Sequence, residues 1–205
     1  MSWAKAVGFL LVLVAGVVSL GRADDAPAID DEGFIKEWLL LAPIPLGEGE
    51  EGATAIDKSQ IKEEDKLTPK VGDKIKVGDA ELVWKKYVAK EYFFDFNDSL
   101  GKETDNAVGY AVTYIVCEAD IEKAVLKIGS DDQAKVYVNG KEVGKFTEER
   151  ATEKDQNDFE GITLKKGSNT IVFKVINAGG EWSGCARFTD KDGKPLKGLK
   201  VELTK

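Results

Sequence analysis

The stretch from Ala124 to Gly144 constrains the fold more than any other part of the chain. Ala124, Leu126 and Ile128 alternate with more polar neighbours, and so do Ala134, Val136 and Val138. A two-residue period is that of strands with one buried face. Asn139-Gly140 then predicts a two-residue turn, because both central residues of a type I′ turn need positive φ. The adjacent carboxylates Asp131 and Asp132 fall between the first two of these strands, at an edge or rim of the sheet.

The same pattern recurs along the chain. Strands are expected at 34–41, 81–88, 92–96, 108–117, 162–164, 170–176, 182–188 and 199–203. Pro43 and Pro45 should stop the first, since proline cannot donate to a ladder. Asp57 and Gln60 resemble a capping box, and Ile61 and Leu67 would give a short helix something to bury. The loop at 97–106 has room for one helical turn, and 148–160 reads as a long charged loop. Roughly nine or ten short strands imply an all-β fold, a two-layer antiparallel β-sandwich or jelly roll with at most one or two short helices. No internal repeat or linker divides it.

The amino terminus has another character. Lys5 precedes an almost wholly apolar run from Val7 to Leu20, and Gly21 and Ala23 place small residues before a cut after position 23. Residues 1–23 therefore read as a secretory signal peptide, residues 24–32 as a flexible acidic tail and residues 33–205 as a single β-sandwich domain. The run is short for a bilayer span. No second such run follows, so no membrane span is expected after cleavage. Secreted or periplasmic localisation follows from the same reading.

The chain has 29 basic and 37 acidic residues, a formal charge of −8; without Lys5 and Arg22 the charge is −10. Such a surface repels nucleic acid and anionic lipid, and it suits neutral or cationic ligands. There is no histidine. This removes Ser-His-Asp and Cys-His catalysis and every metal site built on imidazole. No G-x-S-x-G, C-x-x-C or Gly-rich phosphate loop occurs either, so an enzyme is not expected. Two readings stand for Cys117 and Cys185, the only cysteines. In an exported chain they invite a disulfide; inside a β core they would be free thiols.

Several motifs together resemble a known family. They are Ser130-Asp131-Asp132, the run 135–140 ending in Asn139-Gly140, Lys165 to Asn169, Phe173 to Asn177, Trp182, Arg187-Phe188 and Asp192-Gly193. They are similar to the galactose-binding-domain-like jelly rolls of secreted bacterial proteins of the planctomycete type. They are also similar to the sugar-binding domain of family 2 glycoside hydrolases. The Ser-Asp-Asp followed by a strand and Asn-Gly-Lys resembles the PA14 domain, in which an Asp-Asp pair holds calcium and contacts glycan. The chain departs from that pattern at Gln133, where Gly is usual, and at Asn139, where Asp is common. The resemblance implies a non-catalytic module that binds a glycan or a cell-envelope polymer, with calcium as a structural ion. The alternative is a structural or protein-interaction component of the envelope, whose partners would be other envelope proteins.

On this view Asp131 and Asp132 would supply oxygens to Ca²⁺, a hard cation that takes several. The competing reading is a turn in which an Asp side chain accepts from backbone N–H groups. Asn139 could bond a sugar or simply serve its turn. Arg150, Asp155 and Asp158 would either present hydroxyl-binding groups or brace their loop. Trp182 follows Gly179-Gly180, so its ring would either stack on a pyranose at a loop rim or close the end of the core. The ligand site expected from these residues is an end of the sandwich carrying Trp182, Arg150, Asp155, Asp158 and Asn139.

Overall fold

The computed structural model describes residues 27–205. The leader expected at 1–23 and the first residues of the acidic tail lie outside them. Two antiparallel sheets face each other. In the larger, β4 (Lys85–Val88), β1 (Glu37–Pro45), β6 (Ala107–Cys117), β11 (Gly167–Asn177), β8 (Ala134–Val138) and β9 (Lys141–Phe146) lie side by side in that order. A short β13 (Lys200–Glu202) also pairs with β6. The smaller sheet runs β10 (Asn157–Leu164), β7 (Ile121–Asp131), β12 (Ser183–Thr189), β5 (Phe94–Asp95). A hairpin of β2 (Lys74–Val77) and β3 (Ala80–Val83) pairs with neither sheet. Among the described residues, helix is confined to α1 (Gly52–Ala55), α2 (Phe96–Leu100) and one 3₁₀ turn at Glu64–Lys66. The all-β sandwich is as expected.

The register follows the alternation. Ala124, Leu126, Ile128, Ala134, Val136, Val138, Ile171, Phe173 and Val175 all lie in the core between the sheets. The Asn139-Gly140 turn links β8 to β9, and its φ angles of 52° and 80° are the positive pair that turn requires. The acidic turn is different in kind. β7 and β8 belong to different sheets, so Asp131-Asp132 is a crossover at the end of the sandwich and not a hairpin tip. The same holds for β10 and β11. Alternation reports which face of a strand is buried; it does not report the partner. The peptide bond between Asp131 and Asp132 is cis.

Two local expectations need correction. β1 does not stop at Pro43 but runs on to Pro45, with a register shift between Leu41 and Ile44 that lets the edge accommodate both prolines. No α-helix follows Asp57. Its carboxylate is taken by Lys135 and Lys145 instead of by backbone N–H groups. Ile56 and Ile61, with Trp84, pack on the outer face of the larger sheet against Leu39, Tyr110, Val112 and Tyr114. The larger sheet is therefore buried on both faces, and residues 46–84 form an extra layer. Lys174 is fully buried beneath that layer, where its ammonium donates to the Ile56 and Lys58 carbonyls and to Glu64.

Candidate functional site

The larger sheet ends in an open cleft of about 600 Å³. Its floor follows the strand order. Leu46 comes after β1, Asn106 before β6, Ala178 after β11, Gln133 before β8 and Thr147 after β9. Leu46 N–H donates to the Asn106 carbonyl (2.9 Å), Asn106 N–H reaches the Ala178 carbonyl (3.4 Å), and Ile176 N–H donates to the Gln133 carbonyl (2.9 Å). The start of α1 lines it with Glu50, Glu51, Gly52 and Ala53, and Glu148 and Glu149, which follow β9, line it as well. No Lys or Arg among the described residues lines the cleft. A Cβ at Gly52 would lie 2.1 Å from the Gln133 Oε1, so the approach of α1 to Gln133 requires glycine there.

Asp132 sits under this floor. Its two carboxylate oxygens accept from the backbone N–H of Arg150 (3.1 Å) and of Ala178 (2.9 Å). This matches the turn reading, since an Asp whose oxygens satisfy backbone donors stabilises the crossover. Asp131 is the opposite case. It is 6% exposed, and no hydrogen bond reaches its carboxylate among the described residues. Burial pushes its pKa up to about 7, and the nearby Asp132 and Glu181 charges push in the same direction. Among the described residues no group of three or more acidic, Cys or His side chains converges as a metal cage. Asp131 is thus the member of the pair whose carboxylate accepts no hydrogen bond among the described residues.

The other expected site residues do not converge. Trp182 is 0% exposed and packs on Phe96 with ring centroids 4.5 Å apart. This overturns the stacking reading: no face of the ring is open to a sugar, because the chain turns inward after Gly180 and β12 begins at once. Arg150 folds back on the crossover. Its Nη2 donates to Ser130 Oγ (2.8 Å) and its guanidinium lies 3.6 Å over the Phe146 ring. Desolvation lowers its pKa. Asp155 is bound by Arg187, and Asp158 by Lys127 at 2.6 Å, both on the outer face of the smaller sheet. Asn139 lies at the far end of β8, where its amide donates to Asn169 Oδ1 (2.8 Å) and its oxygen accepts from Thr170 N–H (2.9 Å). These four brace the fold.

Cys117 and Cys185 are buried free thiols. Burial pushes the Cys185 thiol up to about 12, so it is inert near neutral pH.

No family model and no curated protein sequence matches the chain. Solved structures with a similar arrangement include a family 35 carbohydrate-binding module from an environmental isolate, at 18% identity and TM-score 0.36, covering 51% of this chain and 78% of that one. A family 2 glycosyl hydrolase from Bacteroides cellulosilyticus is similar at 13% identity and TM-score 0.43 over 77% of this chain, which spans only 20% of that enzyme. The PA14 domain of the antifreeze protein MpAFP is similar at 10% identity and TM-score 0.39, covering 89% of this chain and 96% of that domain. No helix among the described residues is long and apolar enough to cross a membrane.

Proposed function

We propose that the protein is an exported, non-catalytic module that binds carbohydrate or another extracellular polymer at the cleft in the larger sheet's end. The observation that supports this reading best is the cleft itself. Loops from five adjacent strands and α1 build an open, polar trough, and ligand residues concentrate on loops carried by a rigid sheet. Carboxylates and amide groups accept the hydroxyl protons of a sugar. The lack of any histidine in the sequence supports a binding role over a catalytic one. Calcium is the second part of the proposal. Asp131 would supply a carboxylate to it, with backbone carbonyls and water completing the shell.

A glycan array probed with the protein, with and without calcium, tests both parts. Retention on a defined set of glycans is the expected result. Failure to retain any glycan in either condition would leave the envelope-protein interaction role. Calcium at Asp131 has its own readout, because an ion that binds the folded state raises the melting temperature by mass action. Chelator should reverse that gain and Asp131→Asn should abolish it. An unchanged melting curve across millimolar calcium removes the ion from the proposal.

A further inference from the structure

Residues 47–84 cross the outer face of the larger sheet without joining a ladder of either sheet. Among the described residues, every backbone–backbone hydrogen bond they make stays within the segment, and β2 pairs with β3 alone. Side chains do the attaching. Ala55, Ile56, Ile61 and Trp84 pack on the sheet's apolar outer face. The polar bonds between the two all run one way, from donors on the sheet to acceptors on the segment. Tyr110 and Tyr137 donate to Glu64, and Tyr114 donates to the Pro69 carbonyl (2.7 Å). Lys135 and Lys145 donate to Asp57. Lys174 donates to Glu64 (3.2 Å) and to the carbonyls of Ile56 (3.1 Å) and Lys58 (2.6 Å). Lys174 is 0% and Glu64 5% exposed. A buried ion pair regains hydration when it separates into water, so it holds less firmly than apolar packing of similar volume. Lifting the segment would break these contacts and no strand pairing of either sheet. The β2–β3 hairpin would then stand alone, and a lone two-stranded hairpin is marginal in water.

We infer that residues 47–84 are a strap that lifts from the larger sheet as one unit while both sheets stay paired, keyed by Glu64 on Lys174. The chain is held on either side of it. Leu46 N–H donates to the Asn106 carbonyl (2.9 Å), and from Lys85 onward β4 pairs with β1. Glu50, Glu51, Gly52 and Ala53 travel with the strap, so the cleft is complete only while the strap is closed. Opening uncovers Tyr110, Val112, Tyr114, Val172 and Ile176. The consequence for binding rests on the reading of the cleft as the ligand site; the opening itself does not.

The test is hydrogen exchange of the full chain, followed by mass spectrometry across denaturant concentrations below the unfolding transition. Peptides from 47–84 should share one opening and exchange at least about 100-fold faster than those of β6 and β11. Their denaturant dependence should be weaker, because a local opening exposes less surface than global unfolding. Glu64→Gln leaves the Lys174 ammonium buried without its counter-charge. It should speed exchange across the whole strap about tenfold or more, with β6 and β11 still the slower. Tyr114→Phe removes only the bond to Pro69 and should speed the same peptides by a smaller factor, about two- to tenfold. Should Glu64→Gln fail to fold, Tyr114→Phe and the wild-type denaturant series carry the test. One shared rate and one denaturant dependence for 47–84, β6 and β11 would overturn the inference, since the outer layer would then belong to the same cooperative unit. Faster exchange only beside the substituted residue would overturn it too, since the segment would then fray piecemeal. No glycan enters these measurements. A strap that does not open leaves the carbohydrate reading standing, and failure to retain any glycan leaves the strap standing.

Discussion

At the Asn139-Gly140 end of the sandwich, polar side chains are committed to the chain itself. Asn169 is fully buried, and its amide donates to the carbonyls of Lys165 (2.7 Å), Gly167 (3.1 Å) and Ile115 (3.2 Å). Its oxygen accepts from Lys165 N–H and from Asn139, each at 2.8 Å. At the Asp131-Asp132 end only part of the polar set is used in this way. Asp132 caps two backbone donors, while Asp131, Gln133 Oε1, Glu148 and Glu149 have no such partner among the described residues. Two ends of one β-sandwich thus carry similar residue types with opposite accounts of hydrogen bonding. Polar groups that are satisfied hold structure, and groups that are left over are available to a ligand. Substitutions should therefore differ in sign and in readout between the ends.

The largest effect should come from the aromatic core beneath the acidic end. Trp182→Ala removes a ring packed on Phe96 and beside Gly109, where a Cβ would come within 2.8 Å of the indole. A loss of about 3–5 kcal/mol is expected from chemical denaturation. If the variant instead keeps its stability and loses glycan retention, Trp182 acts in binding and the comparison fails at its acidic end. Next is Asn169→Ala. Several buried carbonyls and one N–H lose their partner together, so a loss of about 3 kcal/mol is expected with glycan binding unchanged in the folded fraction. A neutral result would mean that the Asn139 end is not held by its hydrogen bonds.

Asp131→Asn should change stability in a pH-dependent way. The folded pKa is raised to about 7, so the folded protein holds a proton that the unfolded chain releases. Stability from this group is present at low pH and is lost as pH rises from the ordinary carboxylate range, about 3.9, through the folded pKa. The amide cannot ionise. Asp131→Asn should then be more stable than the wild type by about 1–3 kcal/mol above pH 7 without calcium, and close to it at about pH 4. Parallel pH–stability curves for the two proteins would show that Asp131 carries no unrelieved charge.

The difference between the ends was only half legible in the sequence. Asn139-Gly140 announced its turn because the signal is local: two adjacent residues and a positive φ at each. The inner face of the sandwich was legible for the same reason, as a two-residue period. The outer layer was not. In β6 every residue from Ala107 to Ile115 is buried, which erases the period that marks a face. A strand covered on both sides reads only as apolar, so the packing of residues 46–84 on it left no trace beyond that run. The cleft was harder still. It draws on five strand ends and α1, and the pairing order of those strands is set by crossovers that periodicity does not encode. Trp182 misled because a Gly pair before it looks like a loop, while the register of β12 carries the ring inward. Gln133 could be recognised only once Gly52 was seen against it.

The smallest expected effect separates used from unused charge most cleanly. Asp158 is exposed but pairs with Lys127 at 2.6 Å. Glu148 and Glu149 are exposed and line the cleft together with Glu50 and Glu51, and no Lys or Arg among the described residues lines it. Removing one charge of an exposed pair costs about 0.2–1 kcal/mol. Removing charges that repel their neighbours should gain a few tenths, and surface changes rarely exceed about 0.5 kcal/mol in either direction. Glu148→Gln with Glu149→Gln should therefore raise the denaturation midpoint slightly at low salt, and Asp158→Asn should lower it slightly. Both differences should shrink at about 1 M salt, where the screening length falls to about 3 Å. A drop in stability for the Glu148 and Glu149 pair that salt does not erase would mean that these carboxylates have structural partners. In that case they belong with Asp132 among the groups that hold the end together, and the cleft would be left with Gln133 alone as its unsatisfied acceptor.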